Sequence, residues 1–135
     1  MQAWQRAWSS RGSTRKPTSP NELGDGVCSD PAVGEAYLAD PFVVKEFSVA
    51  LLRAVHDGHV WLREHAADFS DPVLLLHGGD DGLVSPQDSI DMYEEVSATD
   101  KSLRIYAGLY HEIFNEFKKD RVIRDAIEWL DDHVR

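Results

Sequence analysis

Four consecutive apolar residues, Val73-Leu74-Leu75-Leu76, lie between Asp71-Pro72 and His77-Gly78-Gly79, and they limit what this chain can fold into more than any other feature. A continuous apolar run of this kind is expected of a strand covered on both faces of a parallel sheet. Downstream, Ser85-Pro86-Gln87-Asp88 resembles a capping box with proline in the first helical turn. Ile90, Tyr93 and Val96 then supply a buried stripe, and Leu103-Arg104-Ile105-Tyr106 reads as a second strand. Val122, Ile123, Ala126, Ile127, Leu130 and Val134 mark a terminal amphipathic helix. The order strand, helix, strand, helix is a βαβ unit with a closing helix, of the α/β class. Two parallel strands are too few for an independent sheet. The first of them would leave an edge unpaired. The sequence therefore reads as the end of a larger sheet.

Upstream, the pattern is helical. Asp30-Pro31 and Asp40-Pro41 each read as a helix start, with Asp as N-cap and Pro at the first helical position. The first helix is expected from Ala32 to about Leu38. The second is longer: Phe47, Leu51, Ala54, Val55, Trp61, Leu62 and His65 recur at helical spacing to about Ala67. Gly58 weakens its middle. Residues 1–22 differ in kind. Arg6, Arg11, Arg15 and Lys16 occur there among many Ser and Thr, ending in Pro17 and Pro20. Such a stretch buries little apolar surface, and a disordered basic tail is expected. It lacks the apolar centre of a secretory signal.

Composition excludes several classes of function. The 135 residues carry a formal net charge of -10, which disfavours a general binder of nucleic acid or of anionic membranes. No apolar run approaches the roughly 20 residues of a membrane span. The one cysteine, Cys28, excludes an internal disulfide framework and an all-cysteine zinc site. A soluble, cytoplasmic protein is the expectation.

Chemistry in open α/β sheets gathers beyond the carboxyl ends of the strands. The two loops there are 78–84, presenting Asp80 and Asp81, and 107–116, presenting His111. Both emerge at one sheet edge from neighbouring strands. A carboxylate that orients an imidazole, with Asp before His in the chain, is the second half of a Ser…Asp…His triad. The same residues also suit a simple turn with helix capping and a surface histidine.

Four stretches resemble the C-terminal part of the α/β-hydrolase superfamily, in its monoacylglycerol lipase and lysophospholipase (serine aminopeptidase S33-like) branch. Ser29-Asp30-Pro31-Ala32-Val33, Glu35-Ala36-Tyr37 and Asp40-Pro41 resemble the start of that branch's helical cap. Pro72 through Val84 resembles its acid strand and loop, and Lys101 through Ile113, continued by Asn115-Glu116, its last strand and histidine loop. The terminal helix through Trp129-Leu130 also fits. The resemblance implies that Asp81 is the triad acid, with Asp80 its neighbour, and that His111 is the general base. It implies a helical cap over residues 23–70, a core segment over 71–135, a small lipid ester as substrate, and no cofactor.

One departure is large. The branch's nucleophile lies in Gly-x-Ser-x-Gly, and that pattern occurs nowhere in these 135 residues. His77-Gly78-Gly79 matches an oxyanion His-Gly-Gly, but no serine elbow follows it, so that assignment is rejected. Ser85 is better explained as a helix cap and Cys28 as an incidental thiol. No nucleophile is assigned. His56 and His59, with His65 further on, lack the carboxylate spacing of a helical metal site, so no metal is expected. Asp80-Asp81 at a strand end is also similar to the metal-binding acid cluster of signalling receiver domains. That fold needs more strands and a separate central Asp, so the match is set aside. Asp91, Glu94 and Glu95 read as the wet face of their helix. The expectation is thus a partial ester hydrolase carrying acid and base without the serine. The alternative is a non-catalytic remnant that self-associates or pairs with a complementary N-terminal half.

Overall fold

A computed structural model describes residues 17–134. The chain opens with a short strand, β1 (Thr18–Pro20), antiparallel to β2 (Glu46–Ser48), with Thr18 opposite Ser48 and Pro20 opposite Glu46. Proline is tolerated there because the pair is an isolated ribbon whose edge needs no further donor. The boundary expected at residue 22 therefore falls inside structured chain. Asn21 explains why: its amide donates to the Tyr37 hydroxyl and the Val44 carbonyl, both at 2.9 Å. Residues 1–16 of the expected tail lie outside the described residues.

Between the two short strands lies α1 (Pro31–Ala39). Asp30 caps it as the sequence implies, accepting from the Ala32 N–H at 2.9 Å, with Pro31 at the first position. Asp40-Pro41 does not start a helix. Asp40 instead closes α1, and its carboxylate accepts from Phe42 N–H at 2.8 Å in an Asx turn. The second helix, α2 (Val49–His65), begins only behind Ser48, whose hydroxyl accepts from Leu51 N–H at 3.1 Å. Phe47 accordingly belongs to β2, not to the helix. Gly58 has open space around it, and α2 runs through it unbroken.

The second sheet is the expected one. β3 (Val73–Gly78) and β4 (Lys101–Tyr106) pair in parallel, from Val73 opposite Lys101 to Gly78 opposite Tyr106. α3 (Pro86–Glu95) crosses between them, capped by Ser85, which accepts from Gln87 N–H at 3.2 Å. α4 (Lys119–His133) closes the unit.

The core is small and sits beneath the second loop: Tyr106, Leu109, Ile113 and Val122 are buried together, with Leu76 packed against them. The apolar run Val73–Leu76 is only half-buried: α3 and α4 pack against β3, but among the described residues no strand other than β4 pairs with it. The stripe of α4 behaves likewise. Val122 is fully buried, whereas Ile123, Ile127, Leu130 and Val134 remain exposed. No helix of the described residues is long and apolar enough to cross a membrane.

Candidate active site

The loops that leave β3 and β4 are fastened to each other by backbone bonds before any side chain is considered. Gly79 N–H donates to the Tyr106 carbonyl at 2.7 Å, and Asp80 N–H to the Leu109 carbonyl at 3.0 Å. Gly78 makes this approach possible, since a Cβ there would fall on the carbonyl oxygens of Leu109 and Tyr110. Gly108 turns the second loop with a φ of +82°, in the left-handed region that favours glycine.

On this frame the structure brings Asp81 and His111 together. Asp81 Oδ2 lies 2.8 Å from His111 Nδ1. The other carboxylate oxygen accepts from Leu83 N–H at 2.8 Å and Val84 N–H at 3.0 Å. Burial alone would push the Asp81 carboxyl up, but the bonds from Val84 N–H, His111 and Leu83 N–H outweigh it and hold the group below its ordinary value. An ionised carboxylate only accepts, so His111 Nδ1 carries the proton and donates. In the neutral ring Nε2 is then the nitrogen free to take a proton, and no described residue bonds it. The Asp81 side chain is 2% exposed and that of His111 42%, so a sheltered acid orients an imidazole that reaches the surface. Such a pair can take a proton at Nε2 and stabilise the resulting imidazolium. Asp80 is exposed and takes no part in the pair.

Three further residues, His77, Ser89 and Glu116, belong to the arrangement, and the sequence alone assigns none of them a part in it. His77 lies 3.2 Å from Asp81 Oδ2 through Nε2, bonds the Val84 carbonyl from the same nitrogen at 3.2 Å, and meets the Ser89 hydroxyl at Nδ1 at 2.6 Å. Glu116 is 1% exposed. It accepts from Tyr110 N–H at 2.8 Å, from Ser29 N–H at 2.9 Å and from the Ser29 hydroxyl. Burial raises its carboxyl, but the Ser29 hydroxyl and the two amides outweigh this and keep it low. Glu116 thereby ties the base loop to residues 28–29, next to Glu112 N–H donating to the Val27 carbonyl at 2.7 Å. A single buried glutamate leaves no periodic signature in sequence, so only its partners in space reveal it.

The remaining candidates fall away. Cys28 is buried, and burial pushes its thiol up, away from a reactive thiolate. Ser85 is occupied as the cap of α3. His56 and His59 are exposed on α2, and among the described residues no cluster of His, Cys, Asp and Glu could hold a metal.

Comparison with known proteins bears on the family and the fold. The sequence profile of the family "Serine aminopeptidase, S33" matches residues 1–118. The monoacylglycerol lipase of Mycolicibacterium smegmatis is 34% identical over 111 residues, covering 82% of this chain and 40% of that protein. Caffeoylshikimate esterase of Arabidopsis thaliana is 33% identical over 78 residues, covering 56% of this chain and 24% of that enzyme. The crystal structure of the Paleococcus ferrophilus monoacylglycerol lipase superposes with a TM-score of 0.81 at 28% identity, over 97% of this chain and 50% of that one. The chain thus spans half or less of the length of the proteins it matches.

Proposed function

Because this chain belongs to the serine aminopeptidase S33 family and carries an α/β-hydrolase fold, we propose that it supplies the acid and base of a Ser-Asp-His triad for hydrolysis of small carboxylic esters, those of monoacylglycerols or lysolipids. The observation that carries this reading is the 2.8 Å contact between Asp81 Oδ2 and His111 Nδ1. Asp81 fixes the tautomer. His111 Nε2 takes the proton of a serine hydroxyl as that oxygen attacks the ester carbonyl, then gives it to the leaving alcohol. A water, deprotonated by the same nitrogen, releases the acid and restores the serine. The serine itself stands outside these 135 residues, as no Gly-x-Ser-x-Gly occurs in them. The lipase and esterase activities by which the relatives are named support an ester substrate.

Two measurements test this. The chain alone is expected to turn over a p-nitrophenyl ester no faster than free imidazole, since triad members act as a unit. Substituted for the matching region of the Mycolicibacterium lipase, it is expected to restore monoacylglycerol hydrolysis. A folded chimera without hydrolysis, or one indifferent to His111→Ala, would overturn the assignment.

A second reading is favoured by the exposed apolar side chains of α2 and α4, among them Val55, Trp61, Ile127 and Leu130. In that reading the chain is a non-catalytic module that pairs with a second copy or a complementary half. A stable monomer by size-exclusion chromatography with light scattering would count against it.

A further inference from the structure

The acid loop is held by a chain of contacts that begins outside the dyad, at Ser89 on α3. The Val84 carbonyl only accepts, so His77 Nε2 carries the proton in their 3.2 Å bond. Nδ1 of the neutral ring then accepts from the Ser89 hydroxyl at 2.6 Å. The peptide N–H of the same residue 84 donates to Asp81 Oδ1 at 3.0 Å, while the protonated Nε2 of His77 lies 3.2 Å from Oδ2. His77 thus faces Oδ2 directly and holds the carbonyl of the residue whose N–H reaches Oδ1, an oxygen that Leu83 N–H also bonds at 2.8 Å. The ring is well placed for this, because its side chain is 11% exposed between the end of β3 and the start of α3.

We propose that His77, fixed by Ser89 as the neutral ring protonated at Nε2, is the positioning residue that sets the plane of the Asp81 carboxylate and so aims Oδ2 at His111. The proposal deepens the triad reading and rests on it for its purpose, but its geometry concerns only this chain. His77 does not touch the reacting atoms. It holds the Val84 carbonyl, one peptide unit beyond the N–H that reaches Oδ1, and the ring beside Oδ2 adds to the Leu83 and Val84 N–H bonds at Oδ1 in restraining rotation of the carboxylate about its Cβ–Cγ bond. Without the ring, Oδ1 keeps its two amide donors, but Oδ2 is held by His111 alone.

The test is nitrogen-15 NMR of the full chain, reading ring nitrogens through the carbon-bound ring protons, which do not exchange with water. At neutral pH, His77 is expected with Nε2 protonated and Nδ1 bare. In Ser89→Ala, the population protonated at Nε2 is expected to fall. In His77→Phe, the amide signals of residues 81–84 are expected to shift, and the Asp81 carboxyl, followed by carbon-13, is expected to titrate higher by roughly half a unit or more. His77→Gln keeps a side-chain N–H donor and is expected to return both readouts toward the native values. A His77 ring protonated at Nδ1 in the native chain would overturn the proposal, even if His77→Phe fails to fold. So would a folded His77→Phe chain with an unchanged 81–84 loop and an unchanged Asp81 titration. If instead His77 behaves as expected while His111 lacks a proton on Nδ1, the triad reading fails and the positioning role of His77 stands.

Discussion

Glu116 and Ser29, 87 positions apart, are joined by two hydrogen bonds, one to the Ser29 amide at 2.9 Å and one to its hydroxyl. The same carboxylate takes the Tyr110 amide at 2.8 Å, immediately before His111. One buried acid, beside the Glu112–Val27 backbone bond, thus holds the segment that leads into α1 to the loop that carries the base.

Removing it should be costly. Glu116→Ala would leave three half-buried donors without their acceptor, and a loss of about 2–3 kcal/mol is expected. Glu116→Gln keeps the shape and part of the acceptor capacity, and is expected to cost about half as much. Urea denaturation followed by tryptophan fluorescence gives both values. Equal stability of the alanine variant and the native chain would refute the stapling role.

Acid should act through the same groups. Asp81 and Glu116 are held below their ordinary values of 3.8 and 4.5, and Asp125 is held low by Arg104 and Tyr106. A carboxyl depressed in the folded state adds stability above its unfolded value, and that stability disappears as pH falls through the folded value. The denaturation midpoint is therefore expected to decline below about pH 4. A chain carrying Asp81→Asn and Glu116→Gln should be less stable at neutral pH and show a shallower acid limb. His133 works with the opposite sign. Raised from 6.5 by the Trp129 carbonyl and Asp100, it contributes fully below that value and its share vanishes as pH rises past the folded one.

Gly78→Ala should separate the two loops. The new methyl group would collide with the Leu109 and Tyr110 carbonyl oxygens, so the base loop must move, at an expected cost of about 1–3 kcal/mol. The His111 ring signals should lose the pattern of a proton fixed on Nδ1. Gly82→Ala, in the same loop but facing open space, is the control and should leave those signals in place.

Ser85→Ala distinguishes a cap from a nucleophile. Loss of its bond to Gln87 N–H should cost about 1 kcal/mol of stability. In the lipase chimera it should leave ester turnover within a few-fold of the parent, whereas Asp81→Asn should lower it by about 10⁴-fold.

Local rules carried far through this chain. Asp30-Pro31 and Ser85-Pro86 start helices because each sets both a side-chain acceptor and a fixed φ. Asp40-Pro41 has the same two features and does not, since the residues after it run into β2 and pair with β1. That pairing is non-local, and no window around Asp40 contains it. Adjacent parallel strands brought the loops of Asp80, Asp81 and His111 to one sheet edge, and the resemblance to the hydrolase branch singled out Asp81 as the acid. The roles of His77 and Glu116 were not legible, since each matters through partners on other elements.

The register of β3 against β4 has a consequence for how damage to this protein will look. Gly78 stands opposite Tyr106 at the end of a six-rung ladder, and a slip of one rung displaces a strand by about 3.3 Å and turns its side chains to the other face. Intermediate settings do not exist. A lesion that shifts this register therefore removes a working pair outright, whereas a change in the loops, as at His77 or Gly78, alters the pair within an intact ladder. Counting molecules whose ladder is intact separates the first kind of damage from the second.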